Sequence, residues 1–415
     1  VTHPYKRLAE INTKAYETAK NVRLLAHLSW PSEVENQMIA ALEAGKTLFP
    51  EVQYPEFKYK MERQALQRLL NSFSAQDPME IFTQKSILSY LDTIQLNESV
   101  GTRAFTDHSI RVFGTPGDRL PNSLVSNIVA AQQIVDLSEE FNSSYIHEAE
   151  ICYTAEAIKE YLEQKIASVF KDDSPTVVIV PELAAKATAT AKRIKVRGGT
   201  HFTEYDFDQL LYHEVLTHSL TALNGQNQNI LKVMGCNSLR ALKTQEGLAT
   251  FAEVITGSID IHRLKRISLR ILAIDMALNG ANFVDVYKFM RSKGQGTHES
   301  YSSTQRIFRG GYPNQNIIFT KDCIYLDGLI NVHTFFRWAM KNNKMDLCHL
   351  LFCGRLTLED IHDLAESYEQ KWITPPRFLP SWYTKIGGLA GSLTFSLLAN
   401  LVQINKSDAK LNRAA

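Results

Sequence analysis

Thr203-Glu204-Tyr205-Asp206-Phe207-Asp208-Gln209-Leu210-Leu211-Tyr212-His213-Glu214-Val215-Leu216-Thr217-His218-Ser219-Leu220-Thr221-Ala222-Leu223-Asn224-Gly225 is the stretch on which the fold turns. Thr203 and Asp206 read as a capping box, with Asp206 in place of the usual Glu or Gln. Apolar residues then recur at Phe207, Leu210, Leu211, Val215, Leu216 and Leu220, the spacing of one buried helix face. Asn224-Gly225 reads as its stop. The result is a half-buried amphipathic helix with two imidazoles and a carboxylate at its centre, where neutral histidines need partners.

The spacing inside it is unusual. An i,i+4 histidine pair is about 40° apart around an ideal helix and converges on one ion. Here the second histidine falls at i+5, about 140° away. The two rings meet only if the helix widens by one residue, as a π-bulge does. Taken alone, His-Glu-x-x-x-His is a weak pattern, and two unrelated surface or core histidines would explain it. A second helix is expected from Thr244 to Gly257, with Glu246 in its first turn. Glu253 lies two turns, roughly 10 Å, further along, too far to share an ion with Glu246. Glu246 is the preferred third ligand because Gly247 removes bulk beside it. Glu253 reads as a supporting or surface carboxylate, the surface being the simpler place for it. Two imidazoles, an adjacent carboxylate and a second acid on a later helix make up the inventory of a hydrolytic zinc site: three ligands, an open position and a base.

The segments HEVLTHSLTALNG and TQEGLATFAE resemble those of the QEGLA-motif metallopeptidase family, which includes microtubule-associated tyrosine carboxypeptidases that remove the C-terminal tyrosine of α-tubulin. The likeness extends through Phe202 to Asp206, Arg306-Ile307-Phe308-Arg309-Gly310, Phe319-Thr320-Lys321-Asp322, Tyr325-Leu326-Asp327-Gly328, Leu358-Glu359-Asp360 and Pro376-Arg377-Phe378-Leu379-Pro380. It reaches about Trp382, and the family's own pattern is His-Glu-x-x-x-His. The resemblance implies one Zn2+ per chain held by His213, His218 and Glu246, with Glu214 as catalytic glutamate.

Composition agrees with a soluble enzyme. The chain has 415 residues, enough for a large core and one to three domains, and a net charge of +1. That balance gives no reason to expect nucleic acid as a partner. Five cysteines without paired spacing read as reduced thiols of a cytoplasmic protein. Residues 386–404 are uncharged but carry three glycines and several polar side chains, so a packed C-terminal helix or an oligomer contact is expected rather than a membrane span.

The expected architecture is a helix-rich α+β fold. Residues 1–150 form a helical N-terminal region, 151–385 a zinc-peptidase-like catalytic region with a small sheet beside the metal helix, and 386–415 a C-terminal helix and tail. Expected helices cover Leu8 to Leu28, Met61 to Phe73, Ser123 to Phe141 and Tyr145 to Phe170, with strands at Thr176 to Val180 and Arg193 to Arg197. The latter strand, rich in cations, is a candidate cleft edge to which an extended substrate would add by β-augmentation. A solvated edge that prevents aggregation explains it equally well.

A carboxypeptidase also needs a cation for the substrate's terminal carboxylate, and the fork of arginine suits it. The candidates are Arg197, Arg306 and Arg309, with Lys321 as a point charge and Tyr325 as a donor to the oxyanion. If helical, Arg306 and Arg309 share a face. The expected substrate is therefore the C-terminal tail of a peptide or protein. Two other readings remain: a zinc hydrolase of non-peptide amides, and a regulatory or binding protein without turnover, against which the intact Glu214 argues.

Overall fold

The structure is a computed structural model, and it describes residues 4–22, 28–73, 77–140, 152–183 and 185–399. It is a helix-rich α+β fold with one small mixed sheet. The N-terminal helices are Lys6–Ala19, Ser32–Glu43, Lys60–Leu70, Pro78–Glu98, Arg103–Phe113 and Asn127–Glu140. The first ends at Ala19, well before the expected Leu28; residues 23–27 lie outside the described residues. The helix expected from Tyr145 starts at Ala155, where the Thr154 hydroxyl accepts from Ala157 N. Residues 145–151 lie outside the described residues.

The sheet contains β1 (Thr176–Val180), β2 (Ala187–Ala189) and β3 (Arg193–Arg197), in the order β1-β3-β2. β3 runs parallel to β1 and antiparallel to β2. This corrects the expectation that the cationic strand is a cleft edge. The β2–β3 hairpin covers one side of β3 and β1 the other, so it has no free ladder to offer. Its alternation serves packing instead: Ile194 and Val196 are fully buried while Arg193 and Lys195 face solvent. Ser219 Oγ donates to Ala191 O at 3.0 Å, tying the hairpin to the histidine helix.

The largest apolar core runs across the chain. Leu8, Phe82 and Tyr90 of the N-terminal helices share it with Leu216, Leu248, Phe336 and Leu393. Two glycines fix the helix geometry within it. A Cβ at Gly247 would stand 2.2 Å from Gly328 O, so the Leu242–Thr256 and Ile324–Lys341 helices cross backbone to backbone. Gly247 therefore makes room for that crossing and not for an ion. Gly225 is not a helix stop either: the helix continues to Gln226, and a Cβ at Gly225 would meet the backbone of Met234 at 2.4 Å. Neighbouring Asn224 is buried and donates to Phe352 O and Phe378 O, both at 2.8 Å, while its carbonyl accepts from Arg377 N and Phe378 N.

The C-terminal helix Ile386–Ala399 packs through Leu389 and Leu393, and Thr394 and Ser396 reach Met340 and His333. Among the described residues no helix is long and apolar enough to cross a membrane.

Candidate metal centre

The histidine helix is built in three pieces: Glu204–Leu210, a π-helical Leu211–Ser219, and Leu220–Gln226. The capping box at Thr203 and Asp206 is present, with Thr203 N donating to Asp206 Oδ2 at 2.6 Å. In the π-helical stretch hydrogen bonds run from i+5 to i, so residues five apart come onto one face. Thr217 repeats the pattern, its hydroxyl donating to Tyr212 O at 2.8 Å. His213 and His218 accordingly face each other, ring centroids 4.9 Å apart and planes at 87°. The widening that the spacing demanded spans nine residues.

The second acidic helix closes the site. Glu246 Oε2 lies 3.4 Å from His213 Nε2 and 3.7 Å from His218 Nε2. Ligands around a tetrahedral zinc stand about 3.3 Å apart, so three donors at these separations fit one such ion. They are also poor hydrogen bonds to each other. His213 and Glu246 are buried, and His218 is the more open of the three.

Glu253 and Glu246 each have a cation of their own. Glu253 is fully buried, not a surface carboxylate: it takes His213 Nδ1 at 2.6 Å and is gripped by Arg263, Nη2 to Oε1 at 2.7 Å. This carboxylate–histidine pairing fixes which ring nitrogen faces the centre. Glu246 Oε1 accepts from Lys321 Nζ at 2.8 Å, leaving Oε2 for the histidines. Burial alone would raise Glu246, but Lys321 and the two imidazoles outweigh it and hold the carboxyl well below its usual range. Burial likewise disfavours charge on His213, yet Glu246 and Glu253 bring it up to about 10. Burial raises the Glu214 carboxyl against the pull of both histidines, and its oxygens have no protein hydrogen-bond partner among the described residues. Thr250 donates to the backbone of Glu246 at 2.8 Å and does not orient its carboxylate. Tyr205 is exposed.

Beyond Lys321 the chemistry changes sign. Tyr325 OH accepts from Lys321 Nζ at 3.0 Å and from Arg306 Nη2 at 3.3 Å, which leaves its own proton to donate elsewhere. Arg306 forks onto Asp322 at 2.6 and 2.8 Å. Arg309 does not share its helix face, because the Thr297–Phe308 helix ends first and Arg309 is extended. It is nonetheless buried, its guanidinium lies 5.2 Å from the Phe319 ring centroid, and its Nε has no partner. Burial and the adjacent Arg306 lower it to about 10. Arg197, by contrast, is committed to Leu183 O and Thr200 Oγ1 at the end of β3.

Sequence reasoning missed Arg263 and Arg270. The signal was present: Arg263, Arg266 and Arg270 recur at i, i+3 and i+7, one face of the Ile261–Leu278 helix.

No curated protein matches the chain. The family model described as microtubule-associated tyrosine carboxypeptidase matches residues 42–401, so that every residue of the centre falls inside it, and the chain belongs to that family of carboxypeptidases.

Proposed function

We propose that this protein is a zinc-dependent carboxypeptidase that removes a C-terminal tyrosine from an acidic protein tail such as that of tubulin. The observation that carries the reading is the convergence of His213, His218 and Glu246 beside an unbonded Glu214. His213, His218 and Glu246 would hold the ion, and Glu253 and Lys321 would keep two of these ligands in place. A bound zinc would acidify a coordinated water and polarise the scissile carbonyl. Glu214 takes the proton of the attacking water and returns it to the departing amine, a role suited to a carboxylate whose burial raises its pKa. Tyr325, with two cations on its oxygen, donates to the developing oxyanion. Arg309 receives the terminal carboxylate, which places the last peptide bond at the centre; it is a buried guanidinium with no acid in ion-pair contact among the described residues.

The test compares peptides ending in a free carboxylate with their C-terminal amides, followed by mass spectrometry. Free acids should lose one residue, and amides should be cut at least about 30-fold more slowly, since an amide leaves the arginine unpaired at a cost of roughly 2–5 kcal/mol. Arg309→Met should narrow that difference. Internal cleavage, or equal cutting of acids and amides, rules out the carboxypeptidase reading.

A further inference from the structure

The two candidate imidazole ligands are secured by different means. His213 is fixed at its ring: Glu253 takes Nδ1 at 2.6 Å, and Arg263 holds that carboxylate. The His218 ring meets no carboxylate but Glu246 among the described residues, and its side chain is the more exposed of the two. His218 is held at its backbone instead, where Arg355 Nη2 donates to His218 O at 3.1 Å.

The place of that bond gives it weight. His218 lies near the end of the π-helical Leu211–Ser219 stretch, just before the chain returns to the α-helical Leu220–Gln226. A five-residue step brings the second ring round to the first only while the widened turn persists, and nine residues is a long run for this form. A donor on the carbonyl of the ligand itself fixes the turn at the residue that must not move. Thr221 Oγ1 also approaches this carbonyl, but at 3.4 Å, and it lies closer to Thr217 O, at 2.7 Å.

Arg355 is anchored in turn. Its main-chain N–H donates to Met234 O at 2.8 Å, and a Cβ at the preceding Gly354 would stand 2.5 Å from Met234 Cβ. Phe352 O and Cys353 O accept from Asn224 and Gln228, where the histidine helix ends. The guanidinium is buried, has no acid in ion-pair contact among the described residues, and its Nε has no partner. Burial lowers it to about 10, with the charges of Glu246 and Glu214 among those that oppose the shift. A buried charge without an acid contributes little to the stability of a fold.

We propose that Arg355 is a positioning residue for metal binding: through the carbonyl of His218 it holds the widened turn, so that the His218 ring stands beside His213 and Glu246. The assignment rests on the metal-centre reading above.

The experiment compares the wild type with Arg355→Lys and Arg355→Met, measuring zinc affinity by competition with a chromogenic chelator and the melting temperature of the metal-free proteins. Lysine still places a donor near His218 O, and methionine has none. Arg355→Met should bind zinc about 10- to 100-fold more weakly, and Arg355→Lys should stay within about threefold of the wild type. Metal-free Arg355→Met should melt within about 3 °C of the wild type, because loss of the hydrogen bond is offset by removal of an unpaired buried charge. Cobalt-substituted samples give a view of ligand geometry: the visible bands should change in Arg355→Met and match the wild type in Arg355→Lys. Unchanged zinc affinity in Arg355→Met overturns the assignment, and so does an equal loss in both variants. Failure of Arg355→Met to fold, or a large drop in its metal-free melting temperature, overturns it too, by showing that the fold and not the ligand depends on Arg355. A wild type that binds no zinc overturns the metal-centre reading, and this assignment with it.

Discussion

The two ends of the candidate site are solved in opposite ways. At the metal end Glu253 lies between His213 and Arg263, and Glu246 between Lys321 and the two histidines. At the other end Arg270 and Arg306 share the carboxylate of Asp322, and the buried Arg309 beside them has no acid in ion-pair contact among the described residues. The first end is preorganised: its candidate ligands are held at separations that suit an ion by neighbours outside them. Under the proposed function, the second is completed by an anion, the terminal carboxylate of the substrate. A buried cation without a partner is costly to keep, and a substrate that relieves it gains affinity from the relief.

The largest expected effect separates chemistry from architecture at the metal end. Glu214→Gln should retain close to one zinc per chain and an unchanged melting temperature, yet lose activity by about three orders of magnitude or more, because only the proton acceptor is gone. Elemental analysis and peptide assays on the same sample decide it. Substantial residual turnover would mean that another group serves as base.

The next effect falls at the arginine end. Asp322→Asn leaves Arg306 and Arg270 buried without their carboxylate and should cost about 3–5 kcal/mol in denaturant unfolding. Arg306 and Arg270 hold Asp322 well below the ordinary carboxylate range against burial. A depressed carboxylate contributes stability that is fully present above its unfolded value of about 3.9 and is lost as pH falls below it. The acid side of the wild-type stability curve should therefore be steeper than that of Asp322→Asn. Superimposable curves would show that the guanidinia do not depend on Asp322.

The sequence made the metal end readable and left the arginine end largely dark, for a physical reason. A ligand set on helices leaves a local trace: the capping box at Thr203, the apolar face from Phe207 to Leu220, and the five-residue step from His213 to His218, which demanded the observed π-helical stretch. Glu253 was misplaced at the surface because its partners, His213 and Arg263, come from other helices, and helical spacing alone carries no information about what packs opposite. Gly225 and Gly247 were misread likewise: a glycine that admits a neighbouring backbone looks the same in sequence as one that ends a helix or clears a site. The order β1-β3-β2 depended on a hairpin whose other arm, Ala187–Ala189, is only three residues long. Arg309 was chosen for its residue type and block; that it is buried and unpartnered, whereas Arg306 and Lys321 are not, emerges only from the packing of four separate elements.

The smallest effect gives the sharpest test of the comparison. Glu253 does not touch the ion's position; it acts through His213 Nδ1, and Arg263 holds it there. Glu253→Gln keeps an oxygen that accepts from the imidazole but removes the charge that makes the ring a better ligand. Losing such a partner typically weakens metal binding by about 10- to 100-fold. Competition with a chromogenic chelator on the folded protein should show that loss for Glu253→Gln, whereas Asp322→Asn, measured under conditions where it remains folded, should bind zinc like the wild type. The contrast tests whether the ends are separate. An equal loss in both variants would mean that the chain of contacts from Asp322 through Arg306, Tyr325 and Lys321 to Glu246 transmits strain to the metal ligands, and that the centre and the terminus pocket act as one unit.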